Sequence, residues 1–485
     1  MTLDSRTRWF ALYVLCLGDL MIVLDGTIVN VALPSIRDDL GFSQTSLAWV
    51  VNAYLLTFGG FLLLGGRLGD LFGHRRLFLA GISLFTVASL GCGVANSQNL
   101  LVGARAVQGI GGAIVSAVAL SLLMTLFTEQ ADRAKAMGVF GFVLSGGGVA
   151  GVLLGGVLTD VLNWHWIFLV NLPVGVAVYL LSLRLLPAGG GQAATGRLDI
   201  AGAISITASL MLAVYAIVQG NEVGWATAQT LGLLAGAVVL LALFLAIEAR
   251  VSSPLVPLGL FRNRSVSTAN VIGVLMAAGM FAYFFFSALY LQQVLGYSPL
   301  KVGLAYLPSM VIWGASSLLL SDRLVMRYGI KTPLIVGMSL MAVALLLFAR
   351  TPVDGNYFAD VLPATLAIGI GAGIAFNPIL LAAMSGVEPS QAGLASGVVN
   401  TAFMMGGALG LAVLASIAAS RTDGLTSDGE AGFGALNSGY HLAFLVGAIF
   451  IAGAVAVAAG LLRAQQVPAH QGEEASGVPA AAEAD

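Results

Sequence analysis

Asp19, Asp25 and Arg105 are ionisable residues set inside apolar stretches. The two acids lie within Leu12 to Leu33 and the arginine within Leu100 to Leu126. An ionisable group at mid-membrane costs roughly 2.5–3.5 kcal/mol on insertion scales, so it faces a cavity or a partner and marks an ion or proton pathway by default. The chemistry such a trio offers is reversible protonation. Burial favours a neutral acid and a nearby cation favours its charged form, so withdrawing an arginine from a buried carboxylate invites a proton in its place. A carboxyl that alternates between the two partners can couple a proton gradient to a change of shape.

The elements that must position these groups are membrane-spanning helices. The chain is 58% hydrophobic and 9% charged, where a soluble globular domain carries about 25% charged residues. Its net charge of −2 gives no reason to expect nucleic acid. Cys16 and Cys92 both sit in apolar stretches and read as small core residues rather than a disulfide framework. The apolar run from Trp9 to Leu33 is longer than the roughly 7–15-residue core of a cleavable signal. No metal-ligand cluster or catalytic constellation is visible, so neither an enzyme nor a bound cofactor or metal is expected. None of Lys135, Lys301 and Lys331 sits in a G-x-x-x-x-G-K-[ST] phosphate loop, which removes an ATP-driven pump for this chain alone.

Apolar stretches near the ~20 residues a crossing helix needs recur at about 10–33, 46–65, 77–95, 100–124, 136–159, 166–185, 199–219, 228–248, 267–291, 300–321, 333–349, 359–384, 393–418 and 440–463. The basic residues test this map. With the N-terminus cytoplasmic, the inner side receives 16 of the 21 Lys and Arg, and the outer side only Arg37, Lys301, Arg350 and Arg421. That is the positive-inside bias of a correct topology, and one missed span would spoil it. The expectation is a multi-pass protein of a bacterial inner membrane with both termini cytoplasmic.

The chain also repeats itself. Arg67-Leu68-x-x-x-Phe72-Gly73 matches Arg323-Leu324-x-x-x-Tyr328-Gly329 at an offset of 256, and Gly109-Ile110-Gly111 matches Gly369-Ile370-Gly371 at an offset of 260. Gly146-Gly147 and Gly406-Gly407 extend the series. An even number of spans separates the matches, so the halves run parallel, as in transporters with a substrate site between two repeats near the midplane. The expected organisation is a six-helix half over 1–190, two inserted helices over 191–255, a second six-helix half over 256–465, and a disordered cytoplasmic tail over 466–485, the last from its Ala/Pro-rich acidic composition. The fold class is all-α.

At about 100° per residue, Asp19, Gly26 and Asn30 share one face of the first span, and Arg105, Gln108, Gly109, Gly112 and Ser116 share one face of the fourth. Counted from the outer ends, Asp25 lies roughly 12 Å deep, Asp19 roughly 20 Å and Arg105 roughly 8 Å. Arg105 therefore pairs with Asp25 rather than Asp19. The pair either couples protons or statically fixes helix register. Asp19 has three open readings: counter-charge to a cationic substrate, second proton site, or buried acid bonded to a neighbouring hydroxyl. His165 and His441, near the interfaces, read as structural.

From Leu12 to Leu462 the chain resembles the fourteen-span drug/proton antiporters of the major facilitator superfamily, the EmrB/QacA type. The likeness rests on Leu24-Asp25-Gly26-Thr27-Ile28-Val29-Asn30-Val31-Ala32-Leu33-Pro34, on the loop Gly66-Arg67-Leu68-Gly69-Asp70-Leu71-Phe72-Gly73-His74-Arg75-Arg76, on Arg105-Ala106-Val107-Gln108-Gly109-Ile110-Gly111-Gly112, and on Trp164 to Pro173. It implies proton coupling through Asp25 and Arg105, with Asp19 as a further candidate. It also implies a cytoplasmic gating loop in which Gly66, Asp70, Gly73, Arg75 and Arg76 lock helices together. The bland reading of that loop is a topology-setting basic cluster, and Met326 stands at the Asp70 position of the second copy. Gly147, Gly151, Gly155 and Gly156 match the antiporter motif of the fifth span, except that Val152 stands where that motif has proline. These glycines serve either antiport or packing alone. Candidate substrate-cavity residues are Asp19, Gly26, Asn30, Gln108, Gly112, Tyr283 and Asn377. The aromatic run Phe281 to Tyr290 covers all faces of the ninth span, so most of it is expected to meet lipid or neighbouring helices. The implied function is proton-coupled export of hydrophobic or cationic small molecules. The alternative is a dedicated metabolite exporter or proton symporter on the same fold. The expected partners are the substrate, protons and the lipid bilayer, with a monomer as the working unit.

Overall fold

A computed structural model describes residues 4–187, 199–385, 387–388, 391–429 and 432–462. Fourteen helices among them are long and apolar enough to cross a membrane. In lipid every backbone N–H and C=O must bond internally, which a helix does and an open strand does not. The first six crossings are α1 (Ser5–Leu40), α2 (Trp49–Phe72), α3 (His74–Gly93), α4 (Gln98–Leu126), α5 (Gln130–Val161), and the pair α6 (Trp166–Leu169) and α7 (Asn171–Leu185). Then come α8 (Ile200–Val223) and α9 (Ala228–Glu248). The last six are α10 (Arg264–Leu289), α11 (Pro299–Ser316) continued by α12 (Asp322–Tyr328), α13 (Lys331–Phe348), α14 (Leu362–Met384), α15 (Ala392–Ser427) and α16 (Phe433–Leu461). The boundary expected at 190/191 and the tail 466–485 lie outside the described residues.

Helix ends run past the apolar stretches. α1 has 36 residues, about 54 Å at 1.5 Å per residue, well beyond a ~30 Å hydrocarbon core. It stops at Gly41, whose φ of +70° turns the chain while its N–H bonds the Arg37 carbonyl at 2.8 Å. Gly73, at φ +91°, makes the tight turn from α2 into α3, a conformation that favours glycine.

The packing repeats as the 256–260 offset requires. α1 lies on α5, α2 on α4, and α3 on α4 and α7; correspondingly α10 lies on α15, α11 on α14, and α13 on α14 and α16. The two six-helix halves meet through a related pair of contacts, α5 with α11 and α2 with α15. The inserted helices pack on each other, and α8 also packs along both α2 and α15, so it borders both halves.

Glycine makes the close contacts of α5 possible. A Cβ at Gly151 would stand 3.0 Å from the Leu24 carbonyl oxygen of α1, and one at Gly155 2.7 Å from that of Ile28. Gly147 faces Leu20 and Val23 one turn earlier. A Cβ at Gly156 would stand 2.8 Å from the Pro299 carbonyl oxygen of α11, across the seam between the halves, where Gly303 in turn meets the Val152 carbonyl. Small residues that let backbones touch are the usual adhesive of membrane helices. α5 runs helical through Val152. The aromatic run of the ninth span is turned inward: Tyr283, Phe284, Phe285, Phe286 and Tyr290 are all buried. They meet neighbouring helices, not lipid, because α10 is packed by α14, α15 and α16.

Candidate functional site

α1 and α4 bring Asp25 and Arg105 together. Arg105 donates to Asp25 Oδ2 through a terminal guanidinium nitrogen. Its Nε donates to the Val50 carbonyl at 2.9 Å, and its guanidinium carbon lies 4.3 Å from the centre of the Tyr54 ring. Gln108, one turn along α4, binds both members: its Oε1 accepts from Arg105 at 2.7 Å and its Nε2 donates to Asp25 Oδ1 at 2.7 Å. Asn171 Nδ2, at the start of α7, donates to the same Oδ1 at 3.0 Å. Ser89 of α3 closes the network, accepting from Gln108 at 2.8 Å. Asp25 is 0% exposed and Arg105 1%. A buried ion pair persists only where its remaining donors and acceptors are satisfied, and five helices supply that here.

Asp19 forms a separate site. It lies six residues earlier on α1, about 9 Å along the axis, is 3% exposed, and accepts from Ser116 Oγ at 2.7 Å. Of its three open readings, bonding to a hydroxyl is observed, and it is compatible with the other two. Gly26 faces open space, with no atom within 4 Å of where its Cβ would be. Asn30 is buried and turns back on its own helix, donating to the Gly26 and Thr27 carbonyls at 3.3 Å. Asn377 is half-buried and donates to Ser317 Oγ at 3.4 Å.

Several expected cavity residues lie elsewhere. Gln108 is fully buried in the Asp25–Arg105 network, because the face that carries Arg105 carries it too. Gly112 packs α4 on α2, with Phe58 and the Tyr54 hydroxyl 3.2 Å from its would-be Cβ. Tyr283 is sealed in an aromatic cluster with Phe284, Tyr306 and Phe348, its hydroxyl donating to Ser309 at 3.3 Å. Tyr283 follows Asp25 by 258 residues, so the second half has rings and hydroxyls where the first has its charged pair. The gating loop is tied locally and to α7. Asp70 is exposed and lies 3.3 Å from His74, its neighbour one turn on, rather than against Arg75 or Arg76. Arg75 instead donates to the Leu183 carbonyl at the end of α7, at 2.5 Å, and Arg76 is exposed. A Cβ at Gly66 would meet nothing within 4 Å. His165 stacks on Trp164 at 3.7 Å, and His441 lies 2.7 Å from the Thr351 carbonyl oxygen.

Sequence reasoning missed Ser89 and Asn171. The signal for Asn171 was present, a primary amide opening an apolar helix; Ser89 gave none, since a lone serine in an apolar span is ordinary. At the end where α1 finishes, the halves are tied by Gln292 Nε2 to the Val31 carbonyl at 2.8 Å and by Gln44 Nε2 to Gln293 Oε1 at 3.3 Å. A polar cleft of about 400 Å³ lies beside these glutamines, with Arg37 and Asp38 on its wall.

A family model described as the Major Facilitator Superfamily matches residues 15–411. The chain is 42% identical over 428 residues to the puromycin resistance protein of Streptomyces alboniger, covering 88% of this chain and 84% of that one. It is 38% identical to the cephamycin export protein CmcT of Amycolatopsis lactamdurans, covering 93% and 92%. It is 35% identical to the multidrug resistance protein Stp of Mycobacterium tuberculosis, strain CDC 1551 / Oshkosh, covering 86% and 77%. Among solved structures, the nucleoside transporter NupG superposes with a TM-score of 0.67 at 13% identity, over 94% of this chain and 100% of that one. A bacterial homolog of the human lysosomal transporter Spinster superposes with a TM-score of 0.66 at 17% identity, over 96% and 100%. At such identities the solved structures speak for the fold alone.

Proposed function

The chain belongs to the Major Facilitator Superfamily, whose members are membrane transporters, and on that premise we propose that it exports hydrophobic or cationic small molecules in exchange for protons. The observation that carries the reading is the state of Asp25. Its carboxylate is fully buried, its charge is met by Arg105, and its other oxygen takes two amide donors. Protonation requires Arg105 to withdraw, and Arg105 keeps the Val50 carbonyl, the Gln108 amide oxygen and the Tyr54 ring as partners when it does. The swap is therefore feasible without stranding a charge in lipid. Asp25 and Arg105 take the coupling role, with Gln108 and Asn171 as positioning residues.

Asp19 and the open flank of Gly26 take the substrate side. Asp19 serves there as counter-charge to cations. The 16-to-4 distribution of Lys and Arg supports an orientation with both termini cytoplasmic; on this reading the membrane is a bacterial inner membrane and the working unit a monomer. Its two halves fall within 1–190 and 256–465, with the inserted pair within 191–255.

Relatives named for single compounds, puromycin and cephamycin, favour a second reading: a dedicated exporter of one natural product. One experiment tests both. Lipophilic cations, neutral drugs and antibiotic-like metabolites are offered to purified protein in proteoliposomes carrying an imposed proton gradient. Uptake of several unrelated compounds that collapses with the gradient supports multidrug antiport; uptake of one class supports the dedicated exporter. Uptake indifferent to the gradient contradicts proton exchange.

A further inference from the structure

The inserted helices contain two buried acids that the transport mechanism does not use. Asp199, 4% exposed, caps the start of α8, its Oδ1 accepting the Gly202 N–H at 2.7 Å. Glu248, 3% exposed, ends α9, its Oε2 accepting the Val256 N–H at 3.2 Å from the segment that leads to α10. One oxygen of each carboxyl is thus held by the backbone. The other two, Asp199 Oδ2 and Glu248 Oε1, are buried without a donor, and Asp199 is the acid that acts on Glu248, by its charge and as a side-chain hydrogen-bond partner.

We propose that Asp199 and Glu248 hold one proton between their unpartnered oxygens, a proton-binding site in the inserted helix pair separate from Asp25. The surroundings leave few alternatives. An apolar cluster adjoins both acids: Val256, whose N–H Glu248 accepts, and Ala203, whose N–H bonds the Asp199 carbonyl, pack with Leu255 of the connecting segment and with Phe61, Leu63, Leu64 and Leu68 of α2. Asp199 is the ionisable group that bears on Glu248, and the ion pairs among the described residues lie elsewhere. Two bare carboxylates in such surroundings repel and lack hydration, whereas one shared proton turns both spare oxygens into a single O–H···O bond. A divalent cation fits worse. Calcium takes six to eight oxygen ligands, and here two oxygens are free while N–H groups point at the others.

The shared proton joins three pieces of chain: the start of α8, the end of α9 and the segment feeding α10. α8 in turn packs on α2 of one half and α15 of the other, and its far end is fixed by Asn221 donating to the Ser416 carbonyl at 2.7 Å. Loss of the proton places two like charges at this junction and loosens the grip of the inserted pair on both halves. Folding stability therefore falls as pH rises through the loss of that proton.

The test uses the full-length protein in lipid nanodiscs with Asp19→Asn and Asp25→Asn already in place, so that neither transport acid contributes. Infrared difference spectra are recorded across a pH titration from neutral to alkaline. The site predicts a protonated-carboxyl C=O band that is present at neutral pH and disappears on alkalinisation. Glu248→Gln removes the band, because glutamine donates to Asp199 in place of the proton, and it flattens the alkaline fall in thermal stability. Asp199→Asn, which keeps the Oδ1 cap on Gly202, does the same. Absence of the band in the background protein overturns the proposal whether or not the further variants fold. So does a band, or an alkaline stability loss, that survives Glu248→Gln unchanged.

Discussion

Arg105 reaches from α4 to hold Asp25 on α1, and both residues are almost entirely withdrawn from solvent. The arginine has a second anchor in the Val50 carbonyl and a third in Gln108. Asp25 has two neutral donors besides the arginine. Each member of the pair thus has somewhere to go when the other leaves, which a purely static ion pair does not need.

Removing the cation separates coupling from simple register-keeping. Arg105→Ala strands the Asp25 carboxylate, and breaking a buried pair on one side costs about 3–5 kcal/mol. Asp25 escapes that cost by taking a proton, so the variant regains stability as pH falls. Thermal unfolding in detergent from alkaline to acidic pH checks this. The expected gap between wild type and Arg105→Ala narrows toward acid, and a gap constant with pH contradicts an acid free to protonate.

Asp19 distinguishes substrate charge. A cation in a low-dielectric cavity needs a partner, so Asp19→Asn is expected to slow efflux of a lipophilic cation more than that of a neutral compound. Ser116→Ala, which removes only the hydroxyl bonded to Asp19, is expected to spare both. Initial rates per purified molecule decide the matter. Equal losses for the two substrates eliminate the counter-charge role.

The glycine stripe of α5 makes a stability prediction. Gly155→Val puts a branched side chain where the Ile28 carbonyl already stands 2.7 Å from the Cβ position. Overpacking of this kind costs about 1–3 kcal/mol, and here the obstacle is backbone that cannot rotate away. The measurement is the apparent melting temperature, expected to fall for Gly155→Val. Gly146→Val, at a position with nothing within 4 Å, is expected to melt like the wild type.

Much of this was legible in the sequence, for physical reasons that can be named. Length and hydropathy sufficed for the crossings, because the bilayer fixes how long an apolar helix must be. The Asp25–Arg105 pairing followed from depth alone. Helix rotation was harder. A shared face put Gln108 beside Gly112 and toward a cavity, yet the face that carries Arg105 points into the bundle, and Gln108 follows it there. Tyr283 sits in an aromatic run with no periodicity, so no face could be assigned and its burial emerged only from the packing of α10. Asp70 has a partly buried partner one turn away in His74, a local contact that the motif-based reading of the loop passed over. Asp199 and Glu248 are 49 residues apart, at opposite ends of two helices, and nothing short of the hairpin's geometry brings them together.

On the proposed mechanism, Asp25 trades Arg105 for a proton during export. Wild type and Asp25→Asn are reconstituted at equal density in proteoliposomes, and efflux of one substrate is followed both with an imposed proton gradient and in substrate–substrate exchange without one. Asparagine keeps the shape and still accepts from Arg105, but it cannot bind and release a proton. Asp25→Asn is expected to lose gradient-driven transport while retaining substrate binding and exchange. Gradient-driven efflux at the wild-type rate in Asp25→Asn would contradict it.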